Sequence, residues 1–192
     1  FYRKAAEQGF VRAQYDLGGF YLNGYGIAKD VPLALIWYKK AANQGMVQAM
    51  KDLGSIYKFG IGVESDLIKA AEGLRRASEA GDGSAITELA DILLQRPNDP
   101  SNDQEVVTLY ERAADQGLVS AQYKLGLLYE QGRGVTENPV LAYMWYTISE
   151  TGWHDFNGRK KALSLSLTQE QIAEAEFKAK EYLEKHPPMI VE

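Results

Sequence analysis

Glycine returns every 36 residues along this chain, and that interval restricts the fold more than any other feature. Gly9, Gly45, Gly81 and Gly117 keep the step, and Gly152 follows after 35 residues. Ala13, Ala49, Ala85 and Ala121 share it. So do Leu17, Leu53, Leu89 and Leu125, each followed by Gly18, Gly54, Ala90 or Gly126. Tyr21, Tyr57, Leu93 and Tyr129 form a further column, and Tyr2, Tyr38, Leu74, Tyr110 and Tyr146 another. Columns in one register define a tandem repeat. Each unit is then a small motif that buries its apolar face only by stacking on its neighbours.

Each unit reads as two helices. Ala13, Leu17, Gly18 and Tyr21 form one apolar stripe at helical spacing. Gly24 suits a helix C-terminus in the left-handed conformation. Asp30 and its counterparts Asp66, Asn102 and Asn138 are N-cap types, with Pro32 and Pro139 nearby. The second helix carries Leu35, Tyr38, Ala41 and Ala42 and stops at Gly45. The spacing predicts helix pairs at 11–23 with 32–44, 47–59 with 67–80, 83–95 with 104–116, and 119–131 with 140–151.

Residues 1–9 read as the second helix of an incomplete repeat, and 10–152 as four repeats, at 10–45, 46–81, 82–117 and 118–152. The third loop, Arg96 to Asp103, lacks the Gly-x-Gly of its neighbours and carries two prolines, so an extended, irregular path is expected. Residues 153–192 read as a C-terminal cap and tail. A helix is expected at 157–166, and Thr168 with Gln171 predicts a capping box opening a helix at 169–185. That helix seals the last repeat in this reading.

The composition removes several functions. Lys and Arg total 21 against 26 Asp and Glu, a net charge of -5, which disfavours a nucleic-acid binder. Zero Cys and two His leave no thiol nucleophile, disulfide framework or Cys/His metal site. No apolar run is long enough to span a bilayer. The chain opens on Phe1-Tyr2-Arg3-Lys4, without Met, and reads as a fragment or a processed form.

The stretch Ala13-Gln14-Tyr15-x-Leu17-Gly18-x-x-Tyr21-x-x-Gly24-x-Gly26-Ile27-x-x-Asp30, followed by Trp37-Tyr38-x-x-Ala41-Ala42-x-Gln44-Gly45, resembles the Sel-1-like repeat family. The pattern recurs from Ala121-Gln122-Tyr123 to Gly132-x-Gly134-Val135. The resemblance covers about residues 1–152. It implies an all-α, right-handed α/α superhelical solenoid of the tetratricopeptide type, with four repeats and a capping helix. It also implies an adaptor or scaffold for other proteins, without catalytic residues, metal or cofactor. Ala142-Tyr143-Met144-Trp145-Tyr146 and Leu167-Thr168-x-Glu170-Gln171-Ile172-Ala173 look like the ending of bacterial members, and the resemblance alone favours the periplasm or secretion over the cytoplasm. A cysteine-rich bacterial branch linked to β-lactam or peptidoglycan binding suggests, as an alternative, a cell-wall or β-lactam-related hydrolase. The absence of Cys sets this chain apart from that branch.

Candidate chemistry is sparse. The Gly-x-Gly loops lack the Lys-Ser/Thr and the preceding strand of a phosphate-binding loop, so they read as turns. His154 in Trp153-His154-Asp155-Phe156 has no activated Ser nearby and reads as a structural connection.

A helical wheel separates the faces of the first helix. At 100° per residue, Ala13, Leu17, Gly18 and Tyr21 fall on one side and Arg12, Tyr15, Gly19 and Leu22 on the other. By resemblance, the second set lines a concave surface. Its equivalents are Gln48, Lys51, Ser55 and Lys58, then Ser84, Thr87, Asp91 and Leu94, then Ser120, Tyr123, Leu127 and Glu130. These residues are the expected groove for a protein or peptide partner. It would be basic at the Arg12, Lys51 and Lys58 end and acidic at Asp91 and Glu130, with Tyr15 and Tyr123 as flat anchors. Neither nucleic acid nor membrane insertion belongs to this reading.

Overall fold

The computed structural model describes residues 1–95, 100–150 and 158–187. Gly152, the 153–156 stretch containing His154, and residues 96–99 of the third loop lie outside the described residues. Among the described residues the fold is all-α, built from helix pairs in repeating packing, and it divides into two compact units, 1–85 and 86–192.

In the first unit, α1 (Tyr2–Glu7) packs on α2 (Val11–Asn23). The pairs α2 with α3 (Val31–Asn43) and α4 (Val47–Phe59) with α5 (Leu67–Glu79) follow, and α3 packs on α4. The small residues make these contacts close. A Cβ on Gly18 would stand 3.0 Å from Tyr38 Cδ1, and one on Gly54 would stand 2.8 Å from Leu74 Cγ. The large residue of each pair therefore occupies the space that glycine leaves.

The same loop closes each of three pairs. Gly24, Gly60 and Gly132 end their helices with positive φ of 76°, 65° and 62°. The next helix starts at an acceptor cap: Asp30 Oδ1 accepts from Leu33 N–H at 2.9 Å, and Asn138 Oδ1 from Leu141 N–H at 3.0 Å. Asp66 Oδ1 accepts from both Ile68 and Lys69 N–H at 3.0 Å. The backbone N–H of each capping residue also donates to a tyrosine carbonyl one helix back, Asp30 to Tyr21, Asp66 to Tyr57 and Asn138 to Tyr129.

The second unit contains most of α6 (Gly83–Leu94), then α7 (Pro100–Asp115), α8 (Val119–Gln131), α9 (Pro139–Glu150), α10 (Arg159–Ser164) and α11 (Gln169–Lys185). Here the helices depart from the expected boundaries. α7 starts at Pro100 rather than at 104, because proline at the first helical position forfeits no hydrogen bond and presets φ. Asn102 is therefore not a cap. It lies inside the first turn, 8% exposed, and its Nδ2 has no partner among the described residues. Arg133 Nε donates to Asp103 Oδ1 at 2.8 Å, holding that turn against the loop before α9.

α10 ends at Ser164 rather than 166, where the hydroxyls of Ser164 and Ser166 take backbone carbonyls of Lys161 and Leu163. α11 opens with the expected capping box, Gln171 N–H donating to Thr168 Oγ1 at 3.3 Å. It lies on α9 through buried Ala175 and Ala179, with the Tyr182 and Trp145 rings 5.0 Å apart.

Two assignments within the repeat also change. Tyr2 is 48% exposed despite its column, because α1 has no earlier helix against it among the described residues. Gln14 and Gln122, which the wheel left unassigned, are buried. Gln14 Nε2 donates to Ala6 O at 3.1 Å and Gln122 Nε2 to Ala114 O at 3.4 Å, so each amide satisfies a carbonyl at the end of the preceding helix.

Candidate binding groove

In the first unit, the outward stripes of α2 and α4 meet around an open cavity of about 450 Å³. Four expected groove residues line it: Tyr15, Gly19, Leu22 and Ser55. The others stand outside the cavity. Arg12 is exposed, pairs with Asp16 at 3.0 Å, and holds its guanidinium 5.7 Å from the Tyr15 ring. Gln48 donates to Asp52 Oδ1 at 2.8 Å. Lys51 pairs with Asp82 at 3.2 Å, and Lys58 Nζ sits 5.1 Å from the Phe59 ring.

Tyr15 is less free than the sequence suggested. Its ring lies 5.5 Å from that of Tyr38, and its hydroxyl donates to Asp52 Oδ2 at 2.9 Å. Burial first, then the hydrogen bond to Asp52, pushes the Tyr15 phenol up from 10.0 to about 12. Tyr38 rises further, chiefly by burial and then by the nearby Asp52 charge.

In the second unit the expected residues are tied into local pairs. Asp91 accepts from the Tyr110 hydroxyl and pairs with Lys124, whose Nζ lies 5.5 Å from the Tyr110 ring. Glu130 accepts from the Tyr146 hydroxyl and pairs with Arg159 at 3.1 Å. Tyr123 packs 5.5 Å from Tyr146, and Leu94 gives its carbonyl to Arg133 Nη2 at 3.3 Å. Thr87 and Leu127 are partly buried. Lys51, Asp91 and Glu130, expected at the basic and acidic ends of the groove, are each paired with an opposite charge within their own units.

Several cavity residues escaped the sequence reading: Asp16, Asp52, Phe20, Tyr25, Tyr38 and Ile61. The pattern did hold a signal. Asp16 and Asp52 share a column, as do Tyr25 and Ile61, the central residues of two Gly-x-Gly loops. Both central residues are apolar yet exposed, Tyr25 at 68% and Ile61 at 39%, at the rim of the cavity. Among the described residues, no group of His and carboxylates is placed to hold a metal ion, and no helix is long and apolar enough to cross a membrane.

The chain is similar to a protective antigen of uropathogenic Escherichia coli displaying an SLR fold, c5321, at 36% identity and a TM-score of 0.72. That match covers 96% of this chain and 40% of the antigen. A Sel1 repeat protein from Oxalobacter formigenes matches at 31% identity with a TM-score of 0.76, over 94% of this chain and 54% of the other. A shorter match, 43% identical over 47 residues, links it to chitin synthase regulatory factor 3 of Schizosaccharomyces pombe, covering 24% of this chain and 5% of that protein. The chain therefore spans about half the length, or less, of these relatives. The Sel1 repeat matches residues 1–10, 11–46, 47–82, 84–118 and 119–149. With matches over most of its length and helix pairs closed by one recurring loop, this chain belongs to the Sel1 repeat family.

Proposed function

We propose that this chain is a non-enzymatic scaffold whose α2/α4 surface binds an extended segment of a partner protein. Sel1 repeats in general mediate protein–protein interaction, and the reading places that role on particular residues. The observation that carries it is the open cavity at Tyr15, Gly19, Leu22 and Ser55. Cavities of this size commonly admit ligands, and its lining joins aromatic and aliphatic side chains to a few polar groups. The helices already hold the walls in place, so binding would require little ordering of the scaffold.

The remaining expected groove positions contribute to the same surface in this reading. In the first unit these are Arg12, Gln48, Lys51 and Lys58. In the second they are Thr87, Asp91, Leu94, Tyr123, Leu127 and Glu130, read as a separate contact region. The hydrolase alternative finds no support in the comparisons.

The test is affinity capture from a source extract with the wild-type chain and with Gly19→Leu, which fills the cavity. A Cβ at Gly19 meets only the Tyr38 hydroxyl, at an ordinary 3.5 Å, so the variant is expected to fold. A partner retained by the wild type should fall about tenfold on the variant. Equal retention would move the site elsewhere.

A further inference from the structure

Resting on the reading of the α2/α4 surface as a binding groove, we propose that its cavity receives an arginine side chain from the partner segment. The two units differ at equivalent repeat positions. Tyr38, Gly19 and Asp52 stand two 36-residue periods before Tyr110, Asp91 and Lys124. In the second unit those three form a closed trio: the Tyr110 hydroxyl donates to Asp91, Asp91 pairs with Lys124, and the ammonium lies near the Tyr110 ring. The first unit keeps the tyrosine and changes both partners. Glycine replaces the carboxylate, which leaves room for the cavity, and a carboxylate replaces the cation.

The result is an incomplete set. Asp52 accepts only from neutral donors, the Tyr15 hydroxyl at 2.9 Å and the Gln48 amide at 2.8 Å, and no cation pairs with it among the described residues. Tyr38 is 4% exposed, lines the cavity with its hydroxyl beside Gly19, and makes no hydrogen bond among the described residues. The Tyr38 hydroxyl is not sealed from solvent, so a ligand entering the cavity can take up its hydrogen bond in place of water. The second carboxylate of the lining, Asp16, is held by Arg12, which is 77% exposed, so that pair is exchangeable. No residue of the lining carries a positive charge.

An entering cation restores the trio of tyrosine, carboxylate and cation, with the cation supplied by the partner. The second unit shows this chemistry twice, with Lys124 at Asp91 and Arg159 at Glu130. Arginine fits the first-unit cavity better than lysine. Its flat guanidinium can lie against the Tyr15 and Tyr25 rings while several N–H groups reach the Tyr38 oxygen and the Asp52 carboxylate together. Its aliphatic stem covers Leu22, Ile56 and Ile61.

The test uses degenerate peptide mixtures with one central residue fixed as arginine, as citrulline (its neutral isostere) or as norleucine. Each is passed over the immobilised chain and quantified by mass spectrometry. The arginine mixture should be retained about tenfold better than the other two. That preference should vanish in Asp52→Asn, whose amide oxygen still accepts from Tyr15. It should vanish too in Gly19→Leu, which leaves the net charge unchanged and so controls for general attraction to an acidic protein. Circular dichroism checks that both variants fold. Norleucine or citrulline retained as well as arginine, and lost in Gly19→Leu, would overturn the cation proposal while leaving the groove reading intact. Arginine preference that survives in both variants would also overturn it. Failure of every mixture to bind the wild type better than Gly19→Leu would remove the groove reading itself.

Discussion

The hydroxyl of Tyr15 donates to the carboxylate of Asp52, 37 residues away, at 2.9 Å. The bond joins α2 to α4, the first helices of two successive repeats, across the edge of the cavity. Tyr15→Phe keeps the ring on Tyr38 and removes only this bond, so it should lower stability by about 1 kcal/mol. Urea unfolding followed by circular dichroism measures this. An unchanged midpoint would show that the bond adds nothing net over solvation by water.

Stability should fall at alkaline pH. Burial first, reinforced by carboxylates nearby, raises the phenols of Tyr15, Tyr38, Tyr110, Tyr146 and Tyr182 above the ordinary 10.0. Once the pH passes 10, the unfolded chain releases phenolic protons that the folded chain still holds. The neutral-phenol contribution is therefore complete below pH 10 and declines as pH rises, through about 12 for Tyr15. Denaturant midpoints measured from pH 8.5 upward should be level to about pH 9.5 and then drop. A flat profile through pH 11 would contradict the burial of these rings.

Glycines in two neighbouring columns should respond in opposite directions. The bare Cα of Gly126 supports the Tyr146 ring, and an added Cβ would collide with Cε1 and Cδ1. Gly126→Ala should cost about 1–3 kcal/mol by overpacking. Gly19→Ala meets no such wall and should be neutral, or stabilising by up to about 1 kcal/mol through helix propensity. Paired thermal melts decide this, and equal effects at the two sites would place them on the same face.

The two cap-type residues Asp30 and Asn102 should also differ. Asp30→Ala removes an acceptor from Leu33 N–H and should cost about 1 kcal/mol. Asn102→Leu removes a buried amide with an unpartnered Nδ2, so it should be neutral or stabilising. Loss of stability comparable to that of Asp30→Ala would return Asn102 to a capping role.

The helix pairs, their glycine stops and the caps at Asp30, Asp66 and Asn138 were legible because each depends on short-range geometry that one repeat spells out and the next repeats. The Gly18, Gly54 and Gly126 contacts were legible for a related reason: a small residue aligned with a large one marks a close approach. The third repeat was misread where Pro100 could either break a helix or begin one. Local sequence allows both, and the contact of Asp103 with Arg133 is made from far along the chain.

The cavity proposed as a groove was legible in part. The wheel puts Tyr15, Gly19, Leu22 and Ser55, which line it, on the outer faces of their helices. Yet the wheel cannot say whether a charge on the outer face is free. Lys51 finds its partner at Asp82 in the turn before α6, and Asp91 and Glu130 find theirs at Lys124 and Arg159 on other helices. Nor can it show that Asp52 stands at the cavity with neutral donors and no cation paired to it among the described residues. The sequence by itself determined the repeat, because periodic side chains dictate periodic burial. Only the tertiary structure decided which polar groups are compensated, because that depends on distances between helices that no spacing along the chain contains.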